Sequence, residues 1–81
     1  MQREFIGTVK CRDFEVRYYL LAEFSELGRL YGVGMERDGE GVDLPAITPS
    51  RMRAQALLKD LMWGQVTPVS LRDVVEDWLL S

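Results

Sequence analysis

Residues 14–24 read FEVRYYLLAEF, and this stretch decides the fold. Successive side chains of a β-strand point to opposite faces, so residues two apart share a face. The even-numbered positions, from Phe14 to Ala22, are all apolar, whereas the odd-numbered positions mix charges with Tyr19 and Leu21. The pattern therefore predicts a strand whose even-numbered face meets the core and whose odd-numbered face points outward.

The next strand is predicted at residues 29–37, after a four-residue hairpin loop at residues 25–28. Pairing Phe24 with Arg29 sets the register of this second hairpin. A slip of one residue would turn the apolar side chains of the third strand to solvent, so the register is well specified. The predicted inner-face pairs are Ala22 with Tyr31, Leu20 with Val33, and Tyr18 with Met35.

The two outer segments of the sheet follow from similar reasoning. A loop at residues 10–13 places Phe5 on the inner face of the first strand and Ile6 on the outer face. A fourth extended segment is predicted at residues 42–47, where Pro45 lacks the amide hydrogen that a central ladder needs. This segment is either an edge strand or an extended approach to the following helix. The predicted pairs of the first hairpin are Val9 with Phe14, Gly7 with Val16, and Phe5 with Tyr18.

The second half of the chain has helical periodicity. Thr48 is the predicted N-cap of a first helix with Pro49 at its first position, and Gly64 ends that helix after Trp63. Ser70 is the predicted cap of a second helix. The stripes predicted to face the sheet are Ala54, Leu57, Leu58 and Leu61 in the first helix, and Leu71, Val74, Val75, Trp78 and Leu79 in the second.

Strands followed by helices indicate an α+β fold. We predict an antiparallel β-meander of three or four strands, packed on one face by two C-terminal α-helices. The 81 residues are interpreted as a single domain, with the meander in residues 1–47 and the two-helix segment in residues 48–81. A chain of this length buries only about 60–65% of its unfolded surface, so its stability should be modest, and a homodimer would not be surprising.

The composition argues against several kinds of chemistry. The chain has no histidine, which removes the commonest general base and the commonest zinc ligand. Its single cysteine, Cys11, allows neither an internal disulfide nor a thiolate metal site. We therefore expect no enzymatic activity, no cofactor and no metal.

The same composition bears on location and partners. One cysteine fits a reducing compartment, and neither a secretory signal nor an apolar membrane span is apparent, so a cytoplasmic location and no membrane partner are predicted. Ten basic residues against thirteen acidic residues give a net charge of −3. Because phosphate backbones are bound through clustered lysine and arginine, this balance disfavours nucleic acid as a partner.

The outer face of the sheet is the first candidate interaction surface. In the predicted register, the outer face carries an apolar patch formed by Ile6, Tyr19 and Leu21. Gly34 lies opposite Tyr19, and Gly32 lies opposite Leu21. An apolar centre with a polar rim resembles a protein interface, although a solvated antiparallel sheet also carries scattered apolar residues. The glycines either lie beneath the large side chains across the strand pair, or allow a ligand or another backbone to approach closely.

A second candidate surface lies on the first helix. Met52, Ala56 and Trp63 share the side that is opposite the predicted buried stripe. Trp63 is either an exposed anchor for a partner or folds back over Gly64 against Val66 or Trp78.

Three segments resemble a family of small bacterial proteins that is defined only as a domain of unknown function. They are FEVRYYLL at residues 14–21, YGV at residues 31–33, and VTPVSLRDVVEDW at residues 66–78. The resemblance implies a small cytoplasmic bacterial protein and assigns no catalytic or binding residue.

Taken together, the residues favour a small non-enzymatic interaction or regulatory module. Its partner is expected to be another protein or a second copy of the chain, with self-association through the outer sheet face as one form. The alternative is a nucleic-acid-associated accessory protein that uses the basic side of the first helix, at Arg51, Arg53 and Lys59.

Overall fold

The computed structural model describes residues 1–26 and 28–81. These residues form an antiparallel sheet of four strands in the order β1-β2-β3-β4, followed by two helices. The α+β fold predicted from the sequence is confirmed. The elements are β1 (Gln2–Lys10), β2 (Glu15–Ser25), β3 (Gly28–Arg37), β4 (Glu40–Thr48), α1 (Arg51–Trp63) and α2 (Pro68–Leu80).

The central hairpin of β2 and β3 has the predicted register. Phe24 pairs with Arg29 and Leu20 pairs with Val33. The even-numbered side chains of β2 from Val16 to Leu20 are buried in the core, because that face is the only one of the two that is wholly apolar. The predicted loop of this hairpin includes Leu27, which lies outside the described residues. The loop is shorter than predicted, since β2 extends to Ser25 and β3 begins at Gly28.

The core lies between the inner face of the sheet and the two helices. The predicted stripe of α1 is fully buried, and Leu71 and Val75 are the buried residues of α2. Val74 and Trp78 pack against the core at half burial, whereas Leu79 is exposed. The buried cluster comprises Val16, Tyr18, Leu20, Tyr31, Val33, Met35, Ala54, Leu57, Leu58, Leu61, Leu71 and Val75.

The predicted register of β1 is wrong. Val9 pairs with Val16 and Gly7 pairs with Tyr18, two positions away from the expected partners. The register then shifts at a β-bulge between Phe5 and Gly7, so Phe5 pairs with Tyr19. A bulge inserts one extra residue into one strand, and here that residue is Ile6. Beyond it, the two faces of β1 are exchanged.

The entry into α1 and the edge strand β4 also differ from expectation. Ser50, not Thr48, caps α1, since its side chain accepts a hydrogen bond from the Arg53 amide at 3.1 Å. Thr48 Oγ1 instead accepts a hydrogen bond from the Ser50 amide. Pro45 lies in an edge strand, the first of the two predicted alternatives. Residues 38–41 were expected to form a four-residue loop before this strand. A two-residue turn takes its place, so the strand begins at Glu40.

The second helix starts two residues before the predicted cap. Thr67 occupies the N-cap position without a side-chain hydrogen bond, and Pro68 occupies the first turn. Proline is well suited there, because the first helical amides have no partner within the helix. Ser70 therefore lies inside the first turn of α2 and does not cap it.

Candidate interaction surfaces

The bulge in β1 decides which side chains reach the outer face of the sheet. Without it, Phe5 would continue the inner-face pattern of Gly7 and Val9. The shift at Ile6 instead turns Phe5 outward, opposite Tyr19, and turns the neighbouring Glu4 toward the helices. Bulges re-aim side chains in this way at the edges of sheets. Phe5 was not predicted as an outer-face residue, because a bulge leaves no signal in an alternating pattern.

Phe5 and Tyr19 form an aromatic pair on this face. Their ring centroids are 5.7 Å apart with an interplanar angle of 62°, an edge-to-face arrangement. The Arg3 guanidinium lies 4.3 Å from the centroid of the Tyr19 ring. Phe5 is nevertheless 55% exposed, and Ile6 beside it is also exposed. The pair is thus held in place by its neighbours while much of the Phe5 ring faces solvent.

Leu21 is not part of the exposed patch. We expected nothing in the chain to cover it, but only 1% of its surface is accessible. Its Cδ2 leans diagonally across the strand pair, 3.5 Å from where a Cβ would stand at Gly34. At that distance a Cβ would make an ordinary van der Waals contact with Leu21. The described chain itself covers Leu21, so Ile6 and Tyr19 remain of the predicted patch, and Phe5 joins them beside Tyr19.

Two alternatives were given for Gly32 and Gly34 of β3, coverage by a large side chain or close approach of another backbone. Each glycine corresponds to one of them. At Gly34 side chains do lie over the bare backbone, and the nearest are Asp43 of β4 and Leu21 of β2 rather than the directly opposite Tyr19. At Gly32 another backbone approaches, because a Cβ there would collide with the Leu44 carbonyl oxygen and lie 2.6 Å from Pro45 Cα. The register of β3 with β4 shifts in this region, and Ala46 has a φ of 58°. Edge strand β4 therefore bends over the outer face of β3.

An ion pair joins the two edges of the sheet across the outer face. Arg3 of β1 and Asp43 of β4 approach to 3.4 Å, measured from Nη2 to Oδ1. Asp43 Oδ1 is buried and accepts no hydrogen bond among the described residues, so the contact is electrostatic. The carboxylate fits over β3 because position 34 is glycine. The aromatic pair consequently has a charged border on the Arg3 side.

The solvent side of α1 carries the second surface. Trp63 is 91% exposed and Met52 is 80% exposed, with Ala56 also exposed between them. The alternative in which Trp63 folds back is wrong. Val66 is already engaged with the core, and its carbonyl oxygen accepts a hydrogen bond of 2.7 Å from the Tyr18 hydroxyl. Trp63 instead points away from the folded chain.

The three cations predicted for the alternative function are not equally free. Arg51 Nη2 donates to both carboxylate oxygens of Glu4 at 3.0 Å, which ties the start of α1 to β1. The Arg53 guanidinium lies 4.8 Å from the centroid of the Trp78 ring in α2. Lys59 is exposed on the solvent side. The basic side of α1 is therefore partly committed to contacts within the chain.

Tyr18 is a buried polar group that the sequence analysis placed only as a core residue. Its ring is fully buried, and its hydroxyl donates to the Val66 carbonyl between the two helices. Burial, with a smaller contribution from nearby Cys11, raises the pKa of Tyr18 to about 12. Since the neutral phenol is the form that donates this hydrogen bond, Tyr18 fastens the interhelical turn to the sheet.

Residues 1–26 and 28–81 contain no group of three or more His, Cys, Asp or Glu side chains placed to share a metal ion. Within the same residues, neither helix is long and apolar enough to cross a membrane.

The fold and its two exposed apolar surfaces define a small α+β protein without an assigned site. The chain belongs to the family of unknown function DUF6514, whose family model matches residues 3–81. This confirms the resemblance to a family of unknown function that the sequence motifs indicated. No curated protein and no solved structure matches the chain.

Proposed function

We propose that this protein is a small, non-enzymatic interaction module that binds another protein through the outer face of its sheet. The observation that carries the proposal is Phe5 on edge strand β1, which is half exposed on a sheet face that neither helix covers. The β1 bulge turns it there. Tyrosine and arginine, the residue types most enriched in binding hot spots after tryptophan, stand directly beside it as Tyr19 and Arg3.

The surroundings of Phe5 support a protein partner in particular. An interface core is typically aromatic and low in charge, with polar residues around it. Phe5 and Tyr19 supply such a core, the exposed Ile6 is next to Phe5 in the chain, and the Arg3–Asp43 ion pair supplies part of the rim. The ring contacts already fix Tyr19, so little side-chain freedom is lost when a partner binds.

A nucleic-acid partner has weaker support. Arg51 is held by Glu4, and Arg53 is stacked on Trp78. The chain as a whole carries a net charge of −3. A gel shift with DNA and RNA at low and high salt tests this alternative, because phosphate binding weakens steeply as salt rises. We expect no shift at either salt concentration.

A cytoplasmic location in a bacterium belongs to the same proposal. The single cysteine supports a reducing compartment, and the family resemblance of residues 14–21 and 66–78 supports the bacterial source. Fractionation of cells that express the tagged protein would test the location.

Affinity capture with matched variants tests the proposed surface. The immobilised wild-type protein is compared with Phe5→Ser and with the control Phe24→Ser. The control removes a different phenylalanine, on β2, whose side chain is 75% exposed. We expect a bound protein to be retained by the wild type and the control, and to be reduced about tenfold by Phe5→Ser. Circular dichroism must show the same fold for all three proteins. Equal retention by the three proteins, or retention of nothing, contradicts the proposal.

A further inference from the structure

The solvent side of α1 has the spacing of a helix-pairing seam. Met52, Ala56, Lys59 and Trp63 follow one another at gaps of four, three and four residues. At 100° per residue they lie within about 60° of one another around the helix. Alternating gaps of three and four residues are the pattern by which one helix packs along another. The buried stripe of α1 lies on the opposite side, so this seam is not used within the described chain.

This seam is complementary to itself when a second copy runs antiparallel. A two-fold axis placed between Leu57 and Leu58 brings Met52 against Trp63 of the second copy. The same axis brings Ala56 against Lys59 of the second copy. The long apolar side chains then meet at both ends of the contact, and the small alanine leaves space for the aliphatic part of each lysine.

The charges beside the seam favour the same arrangement. Arg53 and Asp60 both border it on one flank, and both are exposed. Around the proposed two-fold axis, Arg53 of one copy and Asp60 of the other are offset by only about 3 Å along the helix direction. The symmetry forms this opposite-charge pair twice. In the dimer Arg53 would contact both Asp60 of the second copy and the Trp78 ring, whose centroid lies 4.8 Å from the guanidinium.

A parallel arrangement lacks this complementarity. It would set each seam residue against its own counterpart, so that Lys59 would face Lys59 near the middle of the contact. It would also align the two helix dipoles in the same direction, which is less favourable than opposing them.

We infer that the chain forms a two-fold symmetric dimer through α1, with a second copy as the occupant of the Met52–Trp63 surface. The sheet face proposed for another protein stays free in this dimer, so the two surfaces serve different partners. One helix pair of this length belongs to the class of interfaces below about 1,200 Å², which are typically weak. The expected dissociation constant is therefore on the order of 10–100 µM.

Charge reversal tests the inference across the interface. Arg53→Asp and Asp60→Arg each place like charges at both symmetric positions. Each variant alone should dissociate about tenfold more readily than the wild type. Mixed together, the two variants form two opposite-charge pairs and should associate with the affinity of the wild type. Positions 53 and 60 of one helix are about 10 Å apart, so recovery in the mixture has to come from contacts between copies.

Sedimentation equilibrium over about 1–500 µM provides the measurement. Trp63→Ala should also weaken the dimer, whereas the matched control Phe24→Ala and the sheet variant Phe5→Ser should not. A wild-type protein that stays monomeric, single variants that associate like the wild type, or a mixture that stays monomeric would each overturn the inference. Weakening by Phe5→Ser in place of Trp63→Ala would also overturn it. Partner capture through the sheet is measured separately, so either proposal can fail without the other.

Discussion

Replacing Gly32 with alanine should destabilise the protein strongly, although alanine is a better strand residue than glycine. The φ angle of Gly32 lies outside the left-handed region, so an alanine backbone is allowed there. The obstacle is β4. A new Cβ would collide with the Leu44 carbonyl oxygen and would stand 2.6 Å from Pro45 Cα, both of which are backbone atoms.

The magnitude follows from two opposing effects. Adding a methyl group to a tightly packed site costs about 1–3 kcal/mol, and the upper part of this range applies because backbone has to move. The reduced freedom of the unfolded chain returns about 0.5–1 kcal/mol. The net loss at position 32 is then about 2 kcal/mol. For a domain of this size, such a loss lowers Tm by about 8–16 °C.

Gly34→Ala is the matched control on the same strand. Its new Cβ would stand 2.5 Å from Asp43 Oδ1, but a carboxylate can rotate away. The cost is then mainly the partly exposed ion pair with Arg3, about 0–1 kcal/mol. Thermal and urea unfolding followed by circular dichroism measure both variants. A Gly32→Ala protein as stable as the wild type, or less affected than Gly34→Ala, would refute the close approach of β4.

Three further outcomes follow from the structure. Tyr18 has a pKa raised from 10.0 to about 12, so between these pH values the folded protein keeps a proton that the unfolded chain loses. The resulting stabilisation is complete below pH 10 and is lost as the pH rises toward 12. The free energy of unfolding measured in urea should therefore fall more steeply with pH in this window for the wild type than for Tyr18→Phe, and parallel slopes would contradict this expectation. Ser50→Ala should cost about 1 kcal/mol in chemical denaturation, whereas Thr67→Ala should cost almost nothing, because only Ser50 makes a side-chain cap bond; equal losses would contradict this assignment. Leu21→Ala should cost about 2–4 kcal/mol, as for a core leucine. A loss below about 0.5 kcal/mol, typical of surface positions, would mean that Leu21 is exposed after all.

The central hairpin was predictable because one face of β2 is apolar without exception. Any shift between Leu20 and Val33 would expose a whole row of side chains, so hydrophobic burial alone selects the register. The helices were predictable for a similar reason, since each has a single stripe that must be covered. Their ends were less certain. Thr48 and Ser50 are both good caps, and only the direction of the chain after β4 decides that Ser50 takes this role.

The outer face was not predictable at the same level. In β1, apolar residues occur on both faces, so an inserted residue does not expose a whole row of apolar side chains and costs little hydrophobic burial. The bulge at Ile6 and the bend of β4 over Gly32 depend on tertiary packing, which the alternating pattern does not reveal. The bulge turned Phe5 outward, and Leu21 is buried although it belongs to the outward-facing row, so two expectations about the candidate site were reversed. The exposure of Met52 and Ala56, by contrast, followed directly from their position opposite the buried stripe of α1.

The bulge at Ile6 sets the orientation of two consecutive residues, Glu4 and Phe5, which face opposite sides of the sheet and have different roles. Phe5 belongs to the sheet face proposed for a partner, while Glu4 anchors the first turn of α1 through Arg51. Straightening this strand would exchange both at once, burying the ring beneath the helices and withdrawing the anchor from the helix. The orientation of the Phe5 ring on the proposed recognition face and the ion pair that holds the first turn of α1 therefore both depend on the same bulge.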